Sequence, residues 1–313
     1  MPEIISIGEL IVDVMRMNVD EPLDVPGTFA GAFPSGAPAI FTDQCALLGR
    51  SAGFIGAVGD DDFGRMDIRR FTEHGVDTRY VAVVNEVSTG CAFVTYFSNG
   101  DRRFLFHIGN SAASHLPDVP ADYFDGCRWL HICGSSLSAG ARMRDGCYRA
   151  TELAYEVGAQ ISLDPNLRPE LLGGEEAVRS VLDPVLRRAT LVLPSATEAE
   201  ILTRTDTPEA ACEGLLERGV EIVALKRGEQ GCRVVTREGS LDVAGYPVEA
   251  VDPTGAGDCF DAGFVVGLTE GLSLEECGRL ANACGAAAAA VRGPMEGSLA
   301  REEAFERAGF DRQ

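Results

Sequence analysis

The chain has 313 residues, 45% of them hydrophobic and 24% charged, and 48 acidic against 27 basic side chains give it a formal net charge of −21 at pH 7. That composition supports a full hydrophobic core and excludes disordered and fibrous classes. With no basic run, the acidic balance also lacks the electrostatic footprint of a polyanion binder, so no nucleic-acid partner is expected.

In chain order, short β-prone apolar runs alternate with longer periodic ones, the pattern of an α/β fold around a mostly parallel sheet. Strands are expected over residues 4–8, 52–58, 129–133, 160–163, 191–193 and 221–225. Several are apolar nearly throughout, as when helices cover both faces of a sheet. Helices are expected over 38–48, 62–74 and 141–157, each followed by a glycine (Gly49, Gly75, Gly158) suited to a left-handed helix stop. Two β-prone runs, 88–98 and 101–107, are joined through Asn99-Gly100, the strongest short hairpin signal. Together with the Gly- and Pro-rich stretch 25–39 they predict a lid of strands inserted into the first third of the domain. The last third turns helical over 257–268, 273–291 and 299–308, with Ser273 and Glu276 at the spacing of a capping box. The expectation is one domain over 1–313, with a β lid formed by approximately 10–38 and 88–108 and no linker or repeat.

No stretch reaches 18 apolar residues, and the first fifteen residues include Glu3, Glu9 and Asp13. Neither a membrane span nor a signal peptide is expected, and a cytoplasmic location is inferred. The ten cysteines stand singly with no Cys-x-x-Cys pair, which predicts packed thiols rather than disulfides or zinc. Of the basic residues one alone is lysine, Lys226, ending the apolar run 220–225, and no glycine precedes a lysine anywhere. A Gly-Lys-Ser/Thr phosphate loop is therefore impossible, and any lysine chemistry would fall on this residue. Trp129 reads as core. Of the four histidines only His107, at the end of a lid strand, is a candidate for touching substrate; Arg102 and Arg103 read as a solvated hairpin tip.

The segment Val251-Asp252-Pro253-Thr254-Gly255-Ala256-Gly257-Asp258 follows a β-like stretch and opens a helix. Two glycines around one alanine let backbone N–H groups turn toward one point, where the helix adds partial positive charge, so this is a candidate anion site. Asp258 stands in the first helical turn beside any such anion. It either accepts the proton of a hydroxyl attacking a phosphoryl group or merely caps the helix, and local sequence weighs the two equally.

Asp-x-Thr-Gly-Ala-Gly-Asp at Asp252 to Asp258 resembles the second signature of the ribokinase/PfkB-type sugar kinases. The first signature is recognisable in Ser35-Gly36-Ala37-Pro38-Ala39 and Gly56-Ala-Val-Gly59, and further matches run in family order through Asp13, Asp164-Pro-Asn-Leu-Arg168, Glu198 and Lys226-Arg-Gly228, from about residue 4 to about 297. The resemblance implies a ribokinase-like three-layer domain and an ATP-dependent kinase acting on a sugar hydroxyl. It assigns Asp258 as general base and the backbone of Gly255, Ala256 and Gly257 as the stabiliser of the transferring phosphoryl group. It also implies Asp13, Gly36, Ala37 and Arg168 at the sugar, and Ser195, Lys226, Gly228 and Asn282 at the nucleotide. Mg²⁺ would be positioned through water by Glu198, and a monovalent cation such as K⁺ would lie near Asp252 and Thr254. Relatives also dimerise through the lid, which makes a homodimer an expectation.

The sequence departs from the family pattern at Ile40, where many relatives carry a sugar-binding Asn, and at Ser195, which replaces the Asn of an Asn-x-x-Glu motif. Arg168 is the specificity clue, because a guanidinium grips hydroxyls or a carboxylate through parallel bonds. Resemblance to ketose kinases makes tagatose or fructose the first expectation and 2-keto-3-deoxygluconate the alternative. A sugar-binding protein without catalysis on a kinase fold is the competing class, against which retention of Asp258 argues.

Overall fold

The computed structural model describes residues 1–100 and 102–310, the side chains of Pro169 and Glu170 excepted. Thirteen strands are present among these residues: β1 Ile4–Ile7, β2 Ile11–Arg16, β3 Phe29–Ser35, β4 Ala52–Gly59, β5 Asp77–Val84, β6 Gly90–Tyr96, β7 Arg102–His107, β8 Trp129–Cys133, β9 Gln160–Asp164, β10 Leu191–Val192, β11 Ile222–Lys226, β12 Cys232–Thr236 and β13 Gly239–Val243. The helices are α1 Ala37–Leu47, α2 Asp62–Glu73, α3 Gly134–Ser138, α4 Ala141–Glu156, α5 Pro169–Leu172, α6 Glu175–Leu186, α7 Ala196–Thr203, α8 Pro208–Glu217, α9 Ala256–Glu270, α10 Leu274–Ala289 and α11 Arg301–Arg307.

Nine strands form one sheet in the order β13-β12-β11-β10-β9-β8-β1-β4-β5. It is parallel from β11 to β5, with antiparallel pairs only at the β12 and β13 end. Successive residues alternate between two cores: Ile4 packs on one face with α1, α9 and α10, and Ile5 on the other with α4, α6 and α8. Burial on both faces explains the continuous apolar run of β4, all eight residues of which are buried. Gly49, Gly75 and Gly158 follow their helices at positive φ, as the sequence predicts. Trp129 is buried in β8, and nine of the ten free cysteines are buried.

A second, four-stranded sheet has the order β3-β2-β6-β7. The β6–β7 hairpin pairs Ala92 with Phe106 and Val94 with Phe104. β2 joins it in parallel, with Asp13 opposite Ala92.

Helices α9 and α10 approach unusually closely. A Cβ on Gly263 would lie 2.8 Å from the Ala281 Cα, and one on Gly267 would lie 2.9 Å from Cys277 Sγ. The α9 glycines carry no side chain at these points, so α10 packs directly against the α9 backbone. Ser273 caps α10 and Glu276 returns the bond, completing the expected capping box. Among the described residues no helix is long and apolar enough to cross a membrane.

Candidate functional site

Helix α9 begins at Gly255, which has φ +83° and no side-chain cap. A Cβ there would fall 2.3 Å from the Pro294 carbonyl oxygen, so both conformation and space call for glycine. Among the described residues Asp258 accepts no bond from the helix start, and Gly255, Gly257 and Asp258 line a cavity.

That cavity, of about 270 Å³, lies between the two sheets and is lined by Gly255, Gly257 and Asp258 together with Asp13, Gly36, Ala37, Arg168, Ser195, Glu198, Lys226 and Thr254. Asp258 is 8% exposed. Burial, and then the charge of Asp164, push its pKa up to about 7, while Lys226 and Arg168 hold it down. Asp13, at the start of the small sheet, is also raised to about 7, again by burial first, against a hydrogen bond from Ser35. Two carboxylates with pKa values near neutrality in one cleft are the arrangement expected of acid–base work.

Gly36 caps α1 at φ +109°, and a Cβ there would collide with the Glu9 carbonyl oxygen at 2.2 Å. Arg168 follows β9; its Nη1 donates to the Leu167 carbonyl at 2.9 Å. Glu198 sits at the third position of α7, where Oε2 accepts the backbone N–H and the hydroxyl of Ser195, both at 2.8 Å, and Oε1 accepts the Leu167 N–H at 3.0 Å. Asp252 is fully buried: its Oδ1 accepts Tyr96 Oη and the Thr254 N–H, both at 3.0 Å, and its Oδ2 accepts the Gly293 N–H at 3.1 Å.

A second cavity of about 690 Å³ opens on the other side of the α9 mouth, lined by Gly228, Asn282, Ala256 and Lys226 and walled by Tyr246, Val248, Phe260 and Ala289. Its apolar walls suit a planar aromatic group. Asn282 gives both bonds of its amide nitrogen to the Val243 and Ala244 carbonyls, so it shapes the loop bordering this cavity. Ser195 does not line the second cavity; it belongs to the first, where it braces Glu198.

Two expectations about the lid strands are corrected. His107 is directed away from the cleft and stacks edge-on against Phe93, whereas Arg102, Phe104 and Phe106 line the cavity. Arg102 is not merely a solvated tip: its Nη1 donates to Thr254 Oγ1 at 3.3 Å, and its guanidinium and that of Arg168 both lie 5.8 Å from the centre of the Phe104 ring.

Sequence reasoning also missed Glu9, whose buried carboxylate accepts the hydroxyls of Ser135 and Ser136 at 2.5 and 2.7 Å and lines the first cavity. Burial raises its pKa. An acid next to Gly8, just past the opening strand, was a signal available in the sequence. Cys133, Asp164 and Asp258 are close enough to share a metal ion, but Lys226 Nζ already lies 3.1 Å from Asp164, and burial keeps the Cys133 thiol protonated.

The model of the pfkB family of carbohydrate kinases matches residues 1–301. Fructokinase-1 of Oryza sativa subsp. japonica is 34% identical over 302 residues, covering 93% of each chain. The 2-dehydro-3-deoxygluconokinase of Bacillus subtilis is 33% identical over 264 residues, 82% of this chain and 81% of its own. An Escherichia coli protein provisionally assigned as ribokinase II, crystallised with ATP and Mg²⁺, superposes with a TM-score of 0.91 at 40% identity over 99% of both chains.

Proposed function

The chain belongs to the pfkB family of carbohydrate kinases, and from that premise we propose that it transfers the γ-phosphoryl group of ATP to a hydroxyl of a ketohexose such as tagatose or fructose, with Asp258 as the general base. The observation that carries this reading is the position of Asp258: in the first turn of an uncapped helix, buried, and beside the wall shared by a polar and an apolar cavity. The sugar occupies the polar cavity, where Asp13, Gly36, Ala37 and Arg168 surround it. The nucleotide occupies the apolar one, along Gly228 and Asn282. The hydroxyl proton passes to the Asp258 carboxylate as the oxygen attacks, and the amides at Gly255, Ala256 and Gly257 face the charge that develops on the phosphoryl oxygens.

The oxygen donors near the α9 mouth fit a hard cation. Glu198, fixed by two amides and a hydroxyl, would hold Mg²⁺ through water, and Mg²⁺ would neutralise triphosphate charge. Asp252 Oδ2 accepts a single amide and, with Thr254, would serve a monovalent cation such as K⁺. In this reading residues 1–313 form one domain, in which the four-stranded sheet, from approximately 10–38 and 88–108, is the lid and the surface through which two copies would pair.

A second reading, phosphorylation of 2-keto-3-deoxygluconate, is favoured by Arg102 and Arg168. Among the described residues neither guanidinium has a carboxylate partner, and both face the cavity. Two guanidiniums without a carboxylate partner are matched to a sugar acid.

The test is an ADP-coupled assay with ATP, Mg²⁺ and a panel of fructose, tagatose and 2-keto-3-deoxygluconate, repeated with Asp258→Asn and Arg102→Gln. The proposal expects a ketohexose to be the best substrate and Asp258→Asn to lose turnover by several orders of magnitude while still binding nucleotide. A sugar acid turned over best, with its KM raised selectively by Arg102→Gln, establishes the second reading. Tight sugar binding without turnover identifies a sensor instead.

A further inference from the structure

Lys226 is the chain's single lysine. It ends β11, its backbone N–H fixed to the Pro194 carbonyl at 2.8 Å, and its side chain runs beneath the mouth of α9. There Nζ lies 3.1 Å from Asp164 Oδ2, 3.2 Å from Asp261 Oδ1 and 3.4 Å from Asp261 Oδ2. A Cβ placed on Gly257 would stand 3.6 Å from the same nitrogen. Lys226, Pro253 and Gly257 face both cavities, so the ammonium sits at the boundary between the nucleotide side and the sugar side. Counted as one bond to each of the two acid side chains, the two Asp261 oxygens sharing one N–H, these contacts leave one of the three ammonium donors for a ligand at that boundary.

We propose that Lys226 is a catalytic residue of the transfer, its ammonium contacting the phosphoryl group as that group crosses from one cavity to the other, with Asp164 and Asp261 fixing the ammonium in place. The proposal rests on the reading that transfer occurs at the α9 mouth. In this step the sugar oxygen bonds to the γ-phosphorus as the bond from that phosphorus to the β–γ bridging oxygen breaks. The electron pair leaves with ADP, the hydroxyl proton goes to Asp258, and Lys226 keeps its protons throughout. A cation held by buried acids needs no reorganisation when charge appears beside it. The neighbouring carboxylates, Asp164 foremost, outweigh burial and keep the ammonium charged, while burial and the Asp164 charge favour a protonated Asp261. Asp164 is thus the counter-ion and Asp261 its hydrogen-bonded support.

The test compares wild type with Lys226→Met, Lys226→Arg and the charge-balanced pair Lys226→Met with Asp164→Asn, which guards against unfolding by an unpaired buried carboxylate. Steady-state kinetics use ATP, Mg²⁺ and the sugar that wild type turns over fastest. In whichever methionine variant folds, kcat falls about 100-fold or more with the sugar KM within threefold, as for the loss of a transition-state donor, and arginine restores part of it. Affinity for ADP with aluminium fluoride, a mimic of the migrating group, falls at least about tenfold in the methionine variants, while affinity for ADP alone is unchanged. A folded methionine variant with kcat within threefold, or with only the ATP KM raised, overturns the proposal. So does a wild type that gains no affinity from aluminium fluoride. Absence of wild-type turnover on every sugar would instead count against the function reading, while the aluminium fluoride comparison still decides the role of Lys226.

Discussion

The pH–rate profile is where the buried acids of the cleft become measurable. Asp258 must be ionised to accept a proton, and its pKa is raised to about 7, by burial first and by Asp164 second. In the free enzyme kcat/KM should therefore rise with pH through about 7. Between pH 8 and pH 5 the ionised fraction falls about 100-fold, and kcat/KM with it, if Asp258 alone limits the limb. Asp13 is raised to about 7 as well, so if it must also be ionised the limb steepens toward a slope of two below pH 6. Asp13→Asn removes that second ionisation and should return the slope to one, at a higher sugar KM. Initial rates at sugar concentrations well below KM, from pH 5 to 8.5 in buffers of constant ionic strength, measure both. A profile flat across that range, or a limb centred near 4, would refute the assignment of Asp258 as an acid raised by its surroundings. Stability moves the opposite way. The folded-state pKa of each acid lies above its unfolded value, so their contribution is fully present below about pH 4 and is lost as pH rises to about 7, at most a few kcal/mol for each.

Gly255→Ala should be far more damaging than an ordinary surface change, because it combines left-handed backbone with a 2.3 Å approach to Pro294 O. A drop in kcat of at least about 100-fold, with a loss of about 2–3 kcal/mol in denaturant unfolding, is expected; near-normal kcat would separate the helix mouth from the chemistry. Asp67 in α2 is fully buried, with no hydrogen-bond partner on either oxygen among the described residues, and burial raises its pKa well above the carboxylate range. Asp67→Asn should accordingly raise the melting temperature at pH 8 and leave it nearly unchanged at pH 4, and equal effects at the two pH values would contradict this.

The main sheet was legible because its strands are buried on both faces, and such runs announce themselves without reference to partners. β5 did not: at the sheet edge, none of its residues is fully buried. β12 and β13 are short and largely open on one side. β3 carries Gly31 and Pro34, residues that argue against a strand except at an edge, which is where it lies. The anion mouth was legible for a different reason. Gly255, Gly257 and Asp258 are adjacent in sequence, so their geometry is local. The rest of the cleft is assembled by topology: Glu9 meets Ser135 across 126 residues, and Lys226 meets Asp261 across 35. In the β6–β7 hairpin the issue was phase. Strand residues alternate sides, and β7 offers an arginine and aromatic or aliphatic groups to either side, so only the pairing of Phe106 with Ala92 shows that Arg102 faces inward and His107 outward.

The glycine contacts between α9 and α10 have a mechanical corollary. With Gly263 and Gly267 letting α9 sit this close to α10, a slide of α9 along its neighbour would meet Ala281 and Cys277, so the helix that bears Asp258 is expected to act as a fixed anvil. On the proposed reading, any travel that admits substrate and expels product would then fall to the four-stranded sheet across the cleft, which carries Asp13 and Arg102.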